Sequence, residues 1–314
     1  MSGETTKNNS VLIDDDIQSS MIKQTLESEL QATQWVDWLN DFTSGSSTFR
    51  IPSIGKATSD DYVEGEALKF RPLDKGEFTM TIDKFKQSGH FITQSAQEDL
   101  LYASQLVAAI APAQTRAIAE ELETNIMALQ GSQTTGATNL INGEKHRYVA
   151  TGASNTIDVK DFARANLSFN KANVSANNRI AIVDPSVAYT LETLTNLTNV
   201  SNNPHFEGVV AEGMTSGMRF VKNVYGFDVY VSNFIDTIGT ETLETVNCSG
   251  FAANMFLGAN GEEGPFKGAW ARMPQFKSWD DPDHEITKYS TTSRYGVKLY
   301  RPESLIVIPS NTSV

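Results

Sequence analysis

The chain has 314 residues, 39% hydrophobic and 20% charged, long enough for one large domain or two smaller ones and typical of a soluble globular protein. Its formal net charge is −13, with acidic residues spread along the chain, so a phosphate-neutralising grip on DNA or RNA is not expected. No run approaches the roughly 20 apolar residues of a membrane helix, so no membrane partner is predicted.

The first 16 residues, "MSGETTKNNSVLIDDD", lack the basic stretch and apolar core of a secretory leader. Cys248, the only cysteine, has no intrachain partner for a disulfide. Both readings predict folding in a reducing, intracellular compartment. Asp14, Asp15 and Asp16 suit the positive end of a helix dipole. Ile22, Leu26, Leu30, Leu39 and Phe42 fall mostly at spacings of three and four, predicting an amphipathic helix over 17–42. Such a helix either packs on its own domain or lies as an arm over a neighbouring subunit.

Residues 66–86 read as a β-hairpin turning at Asp74-Lys75-Gly76, with Phe78, Met80 and Ile82 alternating with polar residues. The alternation slips after Asp83, where Phe85 is the next apolar residue, which predicts a bulge. An isolated ribbon is marginal in water, so this one is expected to rest on something else. A long helical tract follows from about Ser95 to Leu129. It opens on a capping box, Ser95 to Glu98, carries Pro112 as the site of a kink or break, and stops at Gly131.

Beyond residue 157 helices and strands mix. A helix capped by Asp158 precedes a buried strand, "RIAIVD", and a second helix starts with Asp184 as cap and Pro185 at its first position. An irregular loop over 199–218 leads to "KNVYGFDVYVSNF", a turn at Tyr225-Gly226 followed by alternating Phe227, Val229 and Val231. "AANMFLGA" is another apolar strand, and "EITKYSTTSRYGVKLYRPESLIVI" closes the chain as two or three β segments, with a second Tyr-Gly pair at Tyr295-Gly296. Without a regular βαβ rhythm this is an α+β chain.

Taken in order, the N-terminal arm, the ribbon ending in "FTMTIDKFKQSGHFIT", the long helix, "RIAIVDPSVAYTLETL", "EGMTSGMRFVKNVYGFDVYVSN" and "YGVKLYRPESLIVI" resemble the major capsid proteins of tailed bacteriophages, the Hong-Kong-97-like fold. The resemblance covers nearly the whole chain from about residue 45. It implies an N-terminal arm at 1–47 and an extended loop (E-loop ribbon) at 48–92. A peripheral domain with a spine helix would follow at 93–154 and an axial domain at 155–250. Residues 251–314 would return to the axial and peripheral domains and end in C-terminal peripheral-domain strands. It further implies a homo-oligomer of pentamers and hexamers forming an icosahedral shell around packaged double-stranded DNA, held without sequence-specific binding. The shell would sit in the virion and be assembled in the host cytoplasm, with portal, cement and scaffolding proteins as further partners. No room precedes the arm for a cleaved scaffolding segment, which implies a separate scaffolding protein or none.

The resemblance implies no catalytic, cofactor-binding or metal residues, and a search by motif agrees. In one branch of the family an E-loop lysine bonds to a neighbour's asparagine beside a glutamate. Lys69, Lys75, Lys84 and Lys86 lie on the ribbon, but no motif fixes the other two partners, and a solvated edge that discourages wrong strand pairing is the favoured reading. His90, His146, His205 and His284 are scattered, which argues against zinc. "DDPDHE", Asp280 to Glu285, lacks the glycine and spacing of a calcium loop and reads as a solvated turn. Ser216 stands one place off a G-x-S-x-G elbow, and no phosphate-binding or dinucleotide fingerprint occurs. Trp35, Trp38, Trp270 and Trp279 read as packing or subunit-contact residues. Two other readings stay open: an encapsulin-type nanocompartment shell and a soluble α+β hydrolase. Gly226→Val is expected to prevent soluble folding or shell assembly.

Overall fold

The computed structural model describes residues 30, 32–39, 48–55, 57–61, 64–65, 67, 70, 72, 75–99, 103–133, 140–193, 223–258 and 263–312. A 3-10 turn, Ala32–Trp35, leads into strand β1, Val36–Leu39, which pairs in parallel with Phe266–Ala269. The end of the predicted N-terminal helix is therefore a strand: β-branched Val36 and the Trp38 ring find a sheet edge, and non-local pairing overrides a helical spacing. The rest of that prediction, over 17–29 and 40–42, lies outside the described residues.

The ribbon exists, with a different partner. Strand β2, Thr48–Ile54, pairs antiparallel with β3, Lys75–Thr81, from Thr48↔Thr81 to Ile54↔Lys75. The segment 55–74 closes it, so Lys75 and Gly76 sit in a strand and Asp74-Lys75-Gly76 is not the turn. The Phe49 and Ile51 segment offers β3 a better pleated partner than 66–73, where Pro72 lacks an amide. The slip after Asp83 is a change of sheet, because β4, Lys84–Thr93, leaves the ribbon and pairs with Ile286–Tyr295 without interruption. No bulge is needed.

Helix α1, Gln94–Asp99, is capped two residues earlier than expected: the Thr93 hydroxyl accepts from the Ala96 amide at 3.3 Å. Helix α2, Ala103–Met127, runs unbroken past Pro112 and is about 38 Å long at 1.5 Å per residue. Pro112 and Ala108 both lie on its exposed side, so the carbonyl that loses its intrahelical partner faces water. Gly131 does not stop the tract; the helix tightens into a 3-10 tail, Ala128–Ser132.

Helix α3, Val159–Lys171, carries a complete capping box between Asp158 and Asp161. Strand β5, Arg179–Val183, is buried throughout. In α4, Pro185–Thr193, Asp184 accepts from the Ser186 amide at 2.9 Å. Residues 194–222, including Ser216, His205 and the predicted loop, lie outside the described residues. Strand β7, Phe227–Val231, follows the predicted turn at Tyr225-Gly226, and the short β6, Asn223–Val224, pairs with it to make a hairpin. Two short strands, β8, Thr242–Leu243, and β9, Val246–Asn247, precede β10, Ala252–Leu257. The chain ends with β11, Phe266–Asp281, β12, Ile286–Leu299, and β13, Leu305–Ser310.

These strands form a four-stranded sheet, β1-β11-β12-β4, and a five-stranded sheet, β13-β10-β5-β7-β6. Of the β segments expected at the C-terminus, β12 belongs to the first sheet and β13 to the second. Apolar runs without alternation, as in β5, β10 and β13, are what a sheet buried on both faces requires. On one face Phe162, Ala165 and Phe169 of α3 and Val187 and Leu191 of α4 cover Ala181, Val183, Phe227, Phe256, Ile306 and Ile308. On the other, Ile182, Met255, Leu257 and Val307 join Leu122, Ile126 and Met127 of α2 and Phe266, Tyr295 and Leu299 of the first sheet.

Candidate assembly surfaces

Among the described residues, the ribbon meets the body only at its root. Every described residue from 57 to 77 is exposed, whereas Met80 and Ile82 are buried against Ala269 with Phe78 and Leu39 alongside. The Phe78 ring stands edge-on to Tyr300 at 4.9 Å, and Lys298 donates to the Thr79 carbonyl at 2.8 Å. Gly296 makes the crossing possible: a Cβ there would lie 2.6 Å from the Thr81 carbonyl oxygen and 3.0 Å from the Ile82 Cα. Its role is close approach, not the turn expected from the sequence, and its φ is not in the left-handed region. Isolated glycine in a strand is the available signal for such an approach; Lys298 and Tyr300 had none.

Below the root, a groove of about 380 Å³ is lined by Thr81, Asp83, Lys84, Asn125, Val297 and Lys298. At its side, Lys86 on β4 pairs with Glu121 on α2, which also takes the Asn125 amide at 3.3 Å, and Asn125 reaches the Tyr295 hydroxyl at 3.0 Å. Lysine, glutamate and asparagine meet here within one chain. The hydrogen bond from Lys86 holds the Glu121 carboxyl below its usual range, which favours the carboxylate that accepts from both partners. The trio straps sheet to helix. Further along the same seam Gln114 touches His90 at 3.0 Å, donates to the Tyr289 carbonyl at 3.1 Å and accepts from the Thr291 hydroxyl at 2.9 Å. Of the other ribbon lysines, Lys75 is exposed on β3 and Lys84 stands 3.8 Å from Asp83; Lys69 lies outside the described residues.

The N-terminal segment is fastened as well. Ala32 donates its amide to the buried Glu123 of α2 at 2.8 Å, Asp37 pairs with Lys267, and Trp38 stacks on Trp270 at 5.0 Å. Trp35 is buried and Trp279 half-exposed. Between the two sheets, Arg147 is buried and pairs with Glu241 at 2.5 Å while donating to Gln130.

The remaining candidates do not converge. His146 is buried, its ring against Phe169 and its Nε2 unpartnered, and burial lowers its pKa. His284 contacts Asp281 at 3.1 Å, in the turn that joins β11 to β12. In that turn Asp281 also pairs with Lys288 at 2.5 Å, and Asp280 accepts from Thr287, as a solvated turn would. Among the described residues no three His, Cys, Asp or Glu side chains group to hold a metal, and no helix is long and apolar enough to cross a membrane.

Comparison with known proteins gives one family, described as phage capsid protein, whose model matches residues 77–308. That span runs from the second ribbon strand into the last strand. No curated protein sequence matches. Among solved structures, the capsid of cyanophage P-SCSP1u superposes with a TM-score of 0.74 at 16% identity, covering 99% of this chain and 96% of that one. The mature capsid of bacteriophage PhiM1 gives 0.69 at 13%, covering 94% and 91%. The capsid of a native GTA particle, computed with C5 symmetry, gives 0.67 at 12%, covering 98% and 99%. The α+β, Hong-Kong-97-like capsid fold implied by the order of elements is the fold observed.

Proposed function

The chain belongs to the phage capsid protein family, and from that premise we propose that it is the major shell subunit. Its copies associate as pentamers and hexamers that tile a closed icosahedral container around double-stranded DNA. The observation that carries this reading is the family match over 77–308, which takes in both sheets, the long helix and the ribbon root. An exposed ribbon with a buried root has the form expected of an element whose remaining surface is covered by neighbours.

In this reading α2 with the four-stranded sheet is the peripheral domain and spine, and the five-stranded sheet with α3 and α4 is the axial domain. The shell is the virion capsid, assembled in the host cytoplasm, with scaffolding, portal and cement proteins as its partners. Its work is association, not catalysis. The family match favours a phage shell over an encapsulin compartment and over a hydrolase using Ser216.

Sedimentation and electron microscopy of the purified chain, alone and with a scaffolding protein, test this. Closed particles of megadalton mass are expected. A chain that stays monomeric or dimeric under every assembly condition refutes the reading.

A further inference from the structure

Strand β11 has an open edge. In the order β1-β11-β12-β4, β1 covers the outer side of β11 only at Phe266–Ala269. From Gln275 to Asp281 it pairs with β12, from Thr292 to Ile286, and among the described residues no strand lies along its other side. Residues 275–280 are all exposed. Such an edge holds out a row of unpaired amides and carbonyls, a template for one more strand. Prolines bracket the run: Pro274, within the register shift between Arg272 and Gln275, and Pro282, at the start of the hairpin turn. Neither has an amide to give to a ladder, so the template is confined to the residues between them.

The side chains of this run match a second copy of it. Thr291 binds Gln114 of α2 through its hydroxyl and stands opposite Phe276, so Phe276, Ser278 and Asp280 face α2 and Lys277, Trp279 and Asp281 share the other face. Two copies paired antiparallel about a twofold axis perpendicular to the sheet keep their faces matched. Centred on Trp279, that pairing sets tryptophan against tryptophan and Lys277 opposite Asp281 of the second copy, on both sides of the axis. Opposite charges and aromatic rings are the cross-strand pairs that stabilise a sheet. Centring on Lys277 would oppose two lysines, centring on Asp280 two aspartates, and centring on Ser278 would leave Lys277 opposite tryptophan instead of a carboxylate. Among the described residues Lys277 has no ion-pair partner, and Trp279 is half-exposed.

Resting on the shell reading, we propose that the 275–281 edge of β11 pairs antiparallel with the same edge of a second copy, across a twofold axis at Trp279, and joins two four-stranded sheets into one. Backbone hydrogen bonds hold the pair, and the Lys277–Asp281 contacts fix its register. A second copy is favoured over a foreign strand because the run's own sequence supplies the match, and because a closed icosahedral shell contains twofold axes, at which one surface meets itself.

Cross-linking of assembled particles tests it. The native Cys248 is buried, so a cysteine placed on the edge reports by itself. Mild oxidation of Trp279→Cys particles should join copies in pairs through residue 279, because opposed Cα atoms of an antiparallel pair lie roughly 4.5 to 5.5 Å apart, within disulfide reach. Gln275→Cys particles should give no such dimer. In unsubstituted particles a zero-length carbodiimide should join Lys277 to Asp281. Within one chain these two lie four residues apart on a strand, about 13 Å, so that bond reports two copies. Either link in closed particles supports the pairing, and closed particles with neither overturn it, as does a residue-275 dimer as abundant as the residue-279 one. A link from residue 279 to a different protein of the particle overturns it in favour of that partner. If Trp279→Cys does not assemble, the Lys277–Asp281 link in unsubstituted particles decides alone. If the unsubstituted chain forms no particles, the shell reading itself fails; if it forms them without these links, only this inference does.

Discussion

Gly226 and Gly296 each follow a tyrosine, yet they answer different physical demands. Tyr225 and Gly226 have φ of 50° and 86°, the two left-handed positions of a tight hairpin turn, and a Cβ on Gly226 would meet nothing. Gly226→Val therefore costs backbone strain alone, about 2 kcal/mol for a β-branched residue, a milder effect than the loss of folding or assembly expected from the sequence, and should lower the melting temperature while leaving protease cleavage of the ribbon unchanged. Gly296 has ordinary extended backbone but no room. Gly296→Ala should push the ribbon root off β12, so its signature is faster cleavage within 55–74; equal cleavage in both variants contradicts the assignment. His146 gives a third residue-scale expectation. Burial lowers its folded-state pKa, so acid protonates the unfolded chain first. Stability is then intact above the unfolded imidazole value of about 6.5 and falls as pH drops below it. Denaturant titrations of His146→Gln should show a shallower loss between about pH 7 and 5.5, by up to one proton's worth; identical slopes would remove His146 from the acid response.

At the scale of elements, Pro112 shows how exposure decides whether a local rule holds. In a buried helix interior a missing amide and a crowded turn cost about 3 kcal/mol, but here the affected carbonyl faces water and the helix continues. Pro112→Ala should restore the bond and raise the melting temperature by a few degrees; a decrease would mean that the proline ring makes a needed contact. The same contrast explains which elements the sequence announces. Asp158 and Asp184 cap their helices through side chains two or three residues away, and β5 and β10 are apolar because both faces are covered, so these were legible locally. The β2–β3 pairing joins residues separated by a closing segment. β11 went unforeseen because Pro274 and ten consecutive exposed residues, 271–280, hide its alternation. The lysine, glutamate and asparagine at the α2 seam likewise come from 86, 121 and 125, a grouping that only the packed sheet and helix create.

For the whole molecule the order of elements carried more information than any motif, because a shell subunit is defined by which surfaces it leaves for others. The two sheets share one core through Ile126, Met127, Phe266, Tyr295 and Val307, so the body is stable without the ribbon's outer part. The described residues from 57 to 77 contribute no buried side chain to it. Stability and assembly should therefore separate. Ile54 and Lys75 are directly paired, so a two-residue Asn-Gly turn can replace 55–74 and close the ribbon in a geometry that suits its twist. That shortened chain should keep its melting temperature to within a few degrees, since it loses exposed surface and gains a shorter loop, while forming no closed particles by sedimentation or microscopy. A large drop in melting temperature would place 55–74 in the body's own core. Normal particles would show that neighbours hold each other through other surfaces, and would move the assembly contacts onto the sheets and α2.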